Sequence, residues 1–294
     1  MIDLEKKILE KINRAGMIFN SNNFRFNNFQ EIKTNNIGIK KNALWQWITS
    51  ETISLTKKEA NYLIKNTDFK FAENNKLDLL NHFFIVNNLI KKKLDERQIS
   101  LLLKNNNLKS KDNNNLNSLM YAIRYTKKND KNYLNNKQWF YLLKNSDLKI
   151  ATDDWQETPL LYAIYFSDHH NFDAIFWDYL IKNSNLDPEK PEKDDPIVLL
   201  AGCKKLKLNK KLMILIVDKI KNKNEEIKIK TIIKAIENNH FYLAREIIKT
   251  NFIDTQILGS LIAEQTDDHK TKSIIEKWLI EKNLSKTNYK KNKI

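Results

Sequence analysis

Trp177-Asp178-Tyr179-Leu180-Ile181-Lys182-Asn183-Ser184-Asn185-Leu186 decides the fold, because the chain contains it more than once. It returns as Trp139-Phe140-Tyr141-Leu142-Leu143-Lys144-Asn145-Ser146-Asp147-Leu148 and as Ile99-Ser100-Leu101-Leu102-Leu103-Lys104-Asn105-Asn106-Asn107-Leu108. A fourth copy is Ala60-Asn61-Tyr62-Leu63-Ile64-Lys65-Asn66-Thr67-Asp68-Phe69. The shared core is Leu, then Leu or Ile, then Lys-Asn, two polar residues and an apolar one. Lys65, Lys104, Lys144 and Lys182 stand 39, 40 and 38 residues apart. A near-constant spacing of this size marks stacked repeat units.

A second motif alternates with the first. It reads Leu116-Asn117-Ser118-Leu119-Met120-Tyr121-Ala122-Ile123 and Thr158-Pro159-Leu160-Leu161-Tyr162-Ala163-Ile164, with weaker forms at 77–84, 196–202 and 231–236. Each unit is thus an apolar helix, a polar link, a second apolar helix and a polar turn. Neither helix buries its apolar side alone, so neighbouring units have to stack. The expected fold is all-α, an α-solenoid of helix-turn-helix units near 39 residues.

Thr158-Pro159-Leu160-Leu161-Tyr162-Ala163 resembles the first-helix motif of ankyrin repeats, with Leu161 in the histidine position, and Tyr179 to Asn183 is similar to their second helix. Asp153, five residues before Thr158, matches the acidic turn residue of such repeats. The resemblance covers about residues 58–254. Two departures stand beside it. Ankyrin units run to about 33 residues, and the turn glycine is replaced by Gln156 and Asn115. Inserts at Lys127 to Gln138 and Ser167 to Asp173 account for the longer unit. A solenoid of the HEAT or armadillo kind, with a period near 40, is the alternative.

The resemblance implies protein–protein binding through projecting turns and inner helices, with no catalysis. The candidate contact residues are Trp155, Asp153 and Asp154 in the acidic turn, Lys109 and Lys111 in the turn before Asn117, and Asp187. An exposed tryptophan flanked by acids suits a binding hot spot.

The organisation expected is a capping helix (residues 3–13) within a Phe-containing polar segment (1–42), a repeat array (43–254), capping helices (255–283) and a basic tail (284–294). Phe19, Phe24, Phe26 and Phe29 are expected to pack on the first repeat, and one of Trp45 and Trp47 to enter the core. Pro188, Pro191 and Pro196 break the pattern at 187–196, the place for a bend or a long turn. The helix around 212–220 reads as apolar enough for a buried position.

The chain carries 51 basic and 36 acidic residues, a formal charge of +15. Only Arg14, Arg25, Arg97, Arg124 and Arg245 are arginines, and Asn and Ile are abundant while Gly and Pro number four each. That bias follows from A/T-rich codons without selection for charge, and base-reading interfaces favour arginine. Acids crowd Asp147 to Asp195, which interrupts any continuous basic stripe. A lysine-rich solenoid gripping a nucleic-acid backbone is therefore the second reading, after a protein partner. A bacterial effector or scaffold acting on a host protein is the biological setting that analogy implies. The expected location is cytoplasmic, or a host cell reached without a Sec-type signal, because no apolar leader or roughly 20-residue apolar span is present. A monomer is expected.

No phosphate loop, metalloprotease or paired-cysteine motif can be written with these residues, and no cofactor or metal is expected. Asp168-His169-His170-Asn171-Phe172-Asp173 holds ligand types but reads as a solvated loop. Cys203 reads as a small buried residue, His82 as core, and His240 as making a local hydrogen bond. The repeated lysines fall where a helix C-terminus favours a cation, and the asparagine after each suits a left-handed helix stop.

Overall fold

The structure, a computed structural model, describes residues 4, 6–12, 44, 46–67, 79–85, 90, 92–152, 156–186, 195–204, 206, 209–250, 269, 273–274, 276–278 and 280. The chain divides into two units, Met1–Asp153 and Asp154–Ile294. Every regular element among the described residues is helical. Unit 1 contains α1 (Lys57–Asn66), α2 (Leu79–Ile85), α3 (Glu96–Lys104), α4 (Ser118–Tyr125) and α5 (Asn136–Asn145). Unit 2 contains α6 (Pro159–Tyr165), α7 (Ala174–Asn183), α8 (Pro196–Ala201), α9 (Lys210–Ile220), α10 (Glu225–Glu237) and α11 (Phe241–Thr250).

The period seen in sequence begins at the helix starts. Thr56, Asp95 and Asn135 each close a capping box with Glu59, Gln98 and Gln138, two reciprocal bonds that satisfy amides the helix leaves free. Asp173 and Asn209 cap α7 and α9 in the same place, their oxygens 2.8 and 2.9 Å from the amides of Phe176 and Leu212. Asn117 and Thr158 cap the alternating series, with Pro159 at the first helical position where its missing N–H costs nothing. Each such cap contributes about 1 kcal/mol.

Like helices pack on like within each unit. In unit 1, α1 lies on α3, α3 on α5, and α2 on α4. In unit 2, α6 lies on α8 and α8 on α10, while α7 lies on α9 and α9 on α11. Side chains stitch these layers to neighbouring backbone. Gln138 Nε2 donates to Glu96 O at 3.0 Å and Asn105 Nδ2 to Ile64 O at 3.1 Å. Asn132, 1% exposed in the insert before α5, accepts from Leu94 N at 2.8 Å and donates to Lys92 O at 3.2 Å. In unit 2, Lys223 Nζ donates to Leu186 O at 3.1 Å, and His240 Nε2 lies 3.3 Å from Cys203 O. These bonds span 37 to 42 residues of sequence. The bond of His240 is therefore not local, because the backbone that follows α8 passes beside its ring.

The cores are built from the apolar sides of these helices. Trp47, Trp139 and Trp177 are buried, as is Cys203. Residues 6–12 are helical, Ile8 and Ile12 are 1% exposed, and Lys11 pairs with Glu59 of α1 at 2.8 Å. The apolar helix α9 is not buried all round. Leu212, Ile216, Val217 and Ile220 face inward at helical spacing, and Ile214 on the other side is 60% exposed.

Two turn features depart from one another. Asn115 and Gln156, standing where the sequence lacks a turn glycine, have φ of 61° and 51°, and Asn239 has φ of 63°. The left-handed backbone is kept although the glycine is gone. The asparagines after the repeated lysines are not left-handed stops. Asn66, Asn145 and Asn183 lie inside their helices and donate Nδ2 to the carbonyls of Tyr62, Tyr141 and Tyr179, each at 2.7 Å. Asn105 is right-handed, with φ −83° and ψ −4°. The amide side chain supplies the donor that the last carbonyls need, so the backbone has no reason to reverse.

Candidate binding surface

The best-defined turn among the described residues is 107–117, between α3 and α4. Asp112 holds it from within. Its Oδ1 accepts the amides of Asn114 and Leu116, each at 2.8 Å, and its Oδ2 accepts the hydroxyl of Tyr121. The chain doubles back through Asp112 N to Leu116 O at 3.0 Å and a bridge between Lys111 and Asn117. Asn117 then anchors the base of the turn to the next one, donating Nδ2 to Asp147 O at 2.7 Å. Asp112 is 5% exposed and Asn117 is 0% exposed, while Lys109, Lys111, Asn113 and Asn114 are exposed. The result is a stiff loop with a polar, cationic rim. In sequence, Asp112 stands five residues before Asn117 as Asp153 stands before Thr158, so the acid of this register serves the turn itself.

Of the six residues expected to meet a partner, Lys109 and Lys111 thus lie together on one turn. Asp153, Asp154, Trp155 and Asp187 lie outside the described residues. So do Phe19, Phe24, Phe26 and Phe29, the stretch 187–194, the tail from 284, and the side chains of Trp45 and His82. One pair escaped the sequence reading. Arg124 and Tyr125 end α4 exposed, the guanidinium 5.3 Å from the ring centre, and Tyr125 stacks on Tyr121 at 5.9 Å. The four-residue spacing of the two tyrosines was the available signal.

The Asp168–Asp173 segment is solvated only in part: Asp168 and Asn171 are exposed, but His170 is not. Ser167–His169 forms a 3₁₀ turn that folds the histidines onto unit 2. His170 is 3% exposed and stacks on Phe172 at 4.6 Å, and Phe172 stacks on Phe176 at 3.9 Å. Asp173 is the cap of α7. Among the described residues no group of His, Cys, Asp and Glu is arranged to hold a metal. The segment is an aromatic plug between α6 and α7.

Two acids of the middle block among the described residues are held in ion pairs. Asp178 pairs with Lys182 at 2.8 Å and Lys211 at 3.4 Å, and Asp195 with Lys223 at 2.8 Å. The hydrogen bond from Lys182 holds the Asp178 carboxyl below its ordinary value, and that from Lys57 does the same for Asp95. Burial pushes Glu59 up, but Lys11 and the amide of Thr56 outweigh it and leave the carboxyl below its ordinary value. These groups are occupied in building the fold rather than presented to a ligand. No protein-family model matches the chain, and neither a curated protein nor a solved structure matches it. Among the described residues no helix is long and apolar enough to cross a membrane.

Proposed function

We propose that the chain is a stacked helical-repeat protein of ankyrin-like type that binds a partner protein through its projecting turns, without catalysis. Two features support the repeat reading: bonds between layers at near-constant sequence separation, and left-handed residues in the register of the missing turn glycine. One observation carries the binding role. The 107–117 turn is fully hydrogen-bonded inside around Asp112 yet leaves Lys109, Lys111, Asn113 and Asn114 facing solvent. A loop already ordered before association loses little further entropy on binding. The exposed lysines fit an acidic partner surface.

The test is capture by the immobilised chain from bacterial and host-cell lysates, at low and moderate salt and after nuclease treatment. One protein should be retained under all three conditions. The Lys109→Glu, Lys111→Glu double variant should lose it while melting at an unchanged temperature. The same comparison with Trp155→Ala tests the acidic turn. Retention unaffected by the double variant, or capture only of nuclease-sensitive material, overturns the proposal.

A further inference from the structure

The outward side of α1, α3 and α5 carries two rows of cations, and the helix ends explain only one of them. The three helices lie abreast with their starts at one end. Lys57 Nζ meets Asp95 Oδ2 at 2.8 Å, Gln138 Nε2 reaches Glu96 O at 3.0 Å, and at the far end Asn105 Nδ2 reaches Ile64 O at 3.1 Å. Equal positions therefore sit side by side. The second residues are Lys58, Arg97 and Lys137, and the ninth are Lys65, Lys104 and Lys144. All six are exposed, and none has an ion pair shown among the described residues. Between the two rows run Tyr62, Leu101, Phe140 and Tyr141, half-buried. The rows are about 10 Å apart along the helices, and neighbours within a row are roughly 8–10 Å apart. Glu96 is the one exposed acid among the described residues of these helices.

The helix dipole accounts for the second row but opposes the first. A cation in the first turn costs a helix up to about 1 kcal/mol, and three helices in succession carry one. Unit 2 does not repeat the arrangement. Its second residues are Ile175, Lys211 and Tyr242, and Lys182 on α7 and Lys211 on α9 both pair with Asp178. Basic residues are about equally frequent in the two units, 27 in 1–153 and 24 in 154–294, so unit 1 differs in the register of its cations rather than in their number.

We propose that this side of unit 1 binds single-stranded nucleic acid, with phosphates along the cation rows and bases over the aromatic row. Charged rows combined with stacking platforms are what such binding needs. An anionic bilayer fits less well, because the exposed large apolar residues among the described ones, Tyr125, Tyr165, Ile175, Ile214, Tyr242 and Ile280, are all elsewhere. An acidic protein segment would leave the aromatic row unused. Five lysines to one arginine favour backbone contact over base reading, so sequence preference is weak.

The experiment is fluorescence anisotropy of the full chain with a labelled oligothymidylate across a salt series. If all six cations meet phosphates, log affinity falls against log salt with a slope of about −4. Lys58→Gln, Arg97→Gln, Lys137→Gln together should bring the slope to about −2, with a loss of at least tenfold in affinity and an unchanged or higher melting temperature. Lys127→Gln, Lys128→Gln, Lys131→Gln removes the same charge from an exposed loop of the same unit and should stay within twofold of the parent. Equal weakening by the two triple variants would reduce the effect to net charge and overturn the proposal. So would the absence of binding by the parent chain, or competition by a poly-glutamate peptide as effective as that by unlabelled oligothymidylate.

Discussion

Asp112→Ala should destabilise unit 1 by about 3 kcal/mol. The carboxylate is 5% exposed and accepts three bonds: Asn114 N and Leu116 N at 2.8 Å, and Tyr121 hydroxyl. A hydrogen bond to a charged group contributes about 1.5–3 kcal/mol. Asn114 is exposed, so water replaces the acceptor there, but Leu116 and Tyr121 are buried and their donors are orphaned. Two such losses give the figure. Asp112→Asn keeps an acceptor for both amides and turns an amide donor toward the Tyr121 oxygen, so it should cost about 1 kcal/mol. Tyr121→Phe removes a single bond, and the double variant Asp112→Ala, Tyr121→Phe should fall short of the sum by about 1–2 kcal/mol. Urea unfolding supplies the energies, and hydrogen exchange at the Leu116 amide reports the turn alone. A cost for Asp112→Ala within about 0.5 kcal/mol of zero, or strict additivity in the cycle, would refute the claim that this acid holds the turn.

The left-handed turn positions give a ranking. Glycine relieves the backbone cost of φ 51° at Gln156, so Gln156→Gly should stabilise by about 0.5–1 kcal/mol. Asn115→Gly and Asn239→Gly should change little, because asparagine already tolerates this region. Thermal melts of the three single variants decide it, and a destabilising Gln156→Gly would count against the reading. The second prediction concerns pH. Lys57 and Lys182 hold the folded-state carboxyls of Asp95 and Asp178 below their usual value of 3.8. Below that value the unfolded chain binds the more protons, so stability is fully present above about pH 5 and drops as pH falls through the folded values. Asp178→Asn should flatten that decline in urea midpoints measured from pH 6 to pH 2.5, and added salt should shrink it, since the lysine partners are exposed.

The helical architecture was legible because its signal is redundant. Apolar spacing, the cap at Thr56, Asp95, Asn135 and Asp173, and the closing lysine recur together, and each independently fixes the start or end of a helix. The missing glycine was also legible by register, since only backbone geometry was at stake at Asn115 and Gln156. Features that depend on what comes near in space were not. His170 reads as solvated because Phe166 and Phe172 lie in the link between two helices, and the 3₁₀ turn at 167–169 is what folds the segment onto its aromatic neighbours. His240 acquires its partner from Cys203, 37 residues away in sequence. Asn66, Asn145 and Asn183 suit a helix end either by reversing the backbone or by lending a side-chain donor, and sequence does not separate the two. The binding surface was the least legible part, because a cation that caps a dipole and one that awaits an anion look alike until their neighbours are known.

Asparagine at the ends of α1, α3, α5 and α7 makes these helices sensitive to chemical ageing. Loss of the side-chain nitrogen by hydrolysis converts asparagine to aspartate, a change to which this residue type is prone. At Asn66, Asn145 and Asn183 the converted group would face the carbonyls of Tyr62, Tyr141 and Tyr179 with an anion instead of a donor. At Asn105 the same event would break the bridge to Ile64 in the neighbouring layer. Each conversion sets a negative charge against the negative pole of a helix, so damage at one helix loosens its own last turn and, at Asn105, the grip of α3 on α1. Such a chain carries a record of its age in its charge, readable as a stepwise acidic drift on isoelectric focusing.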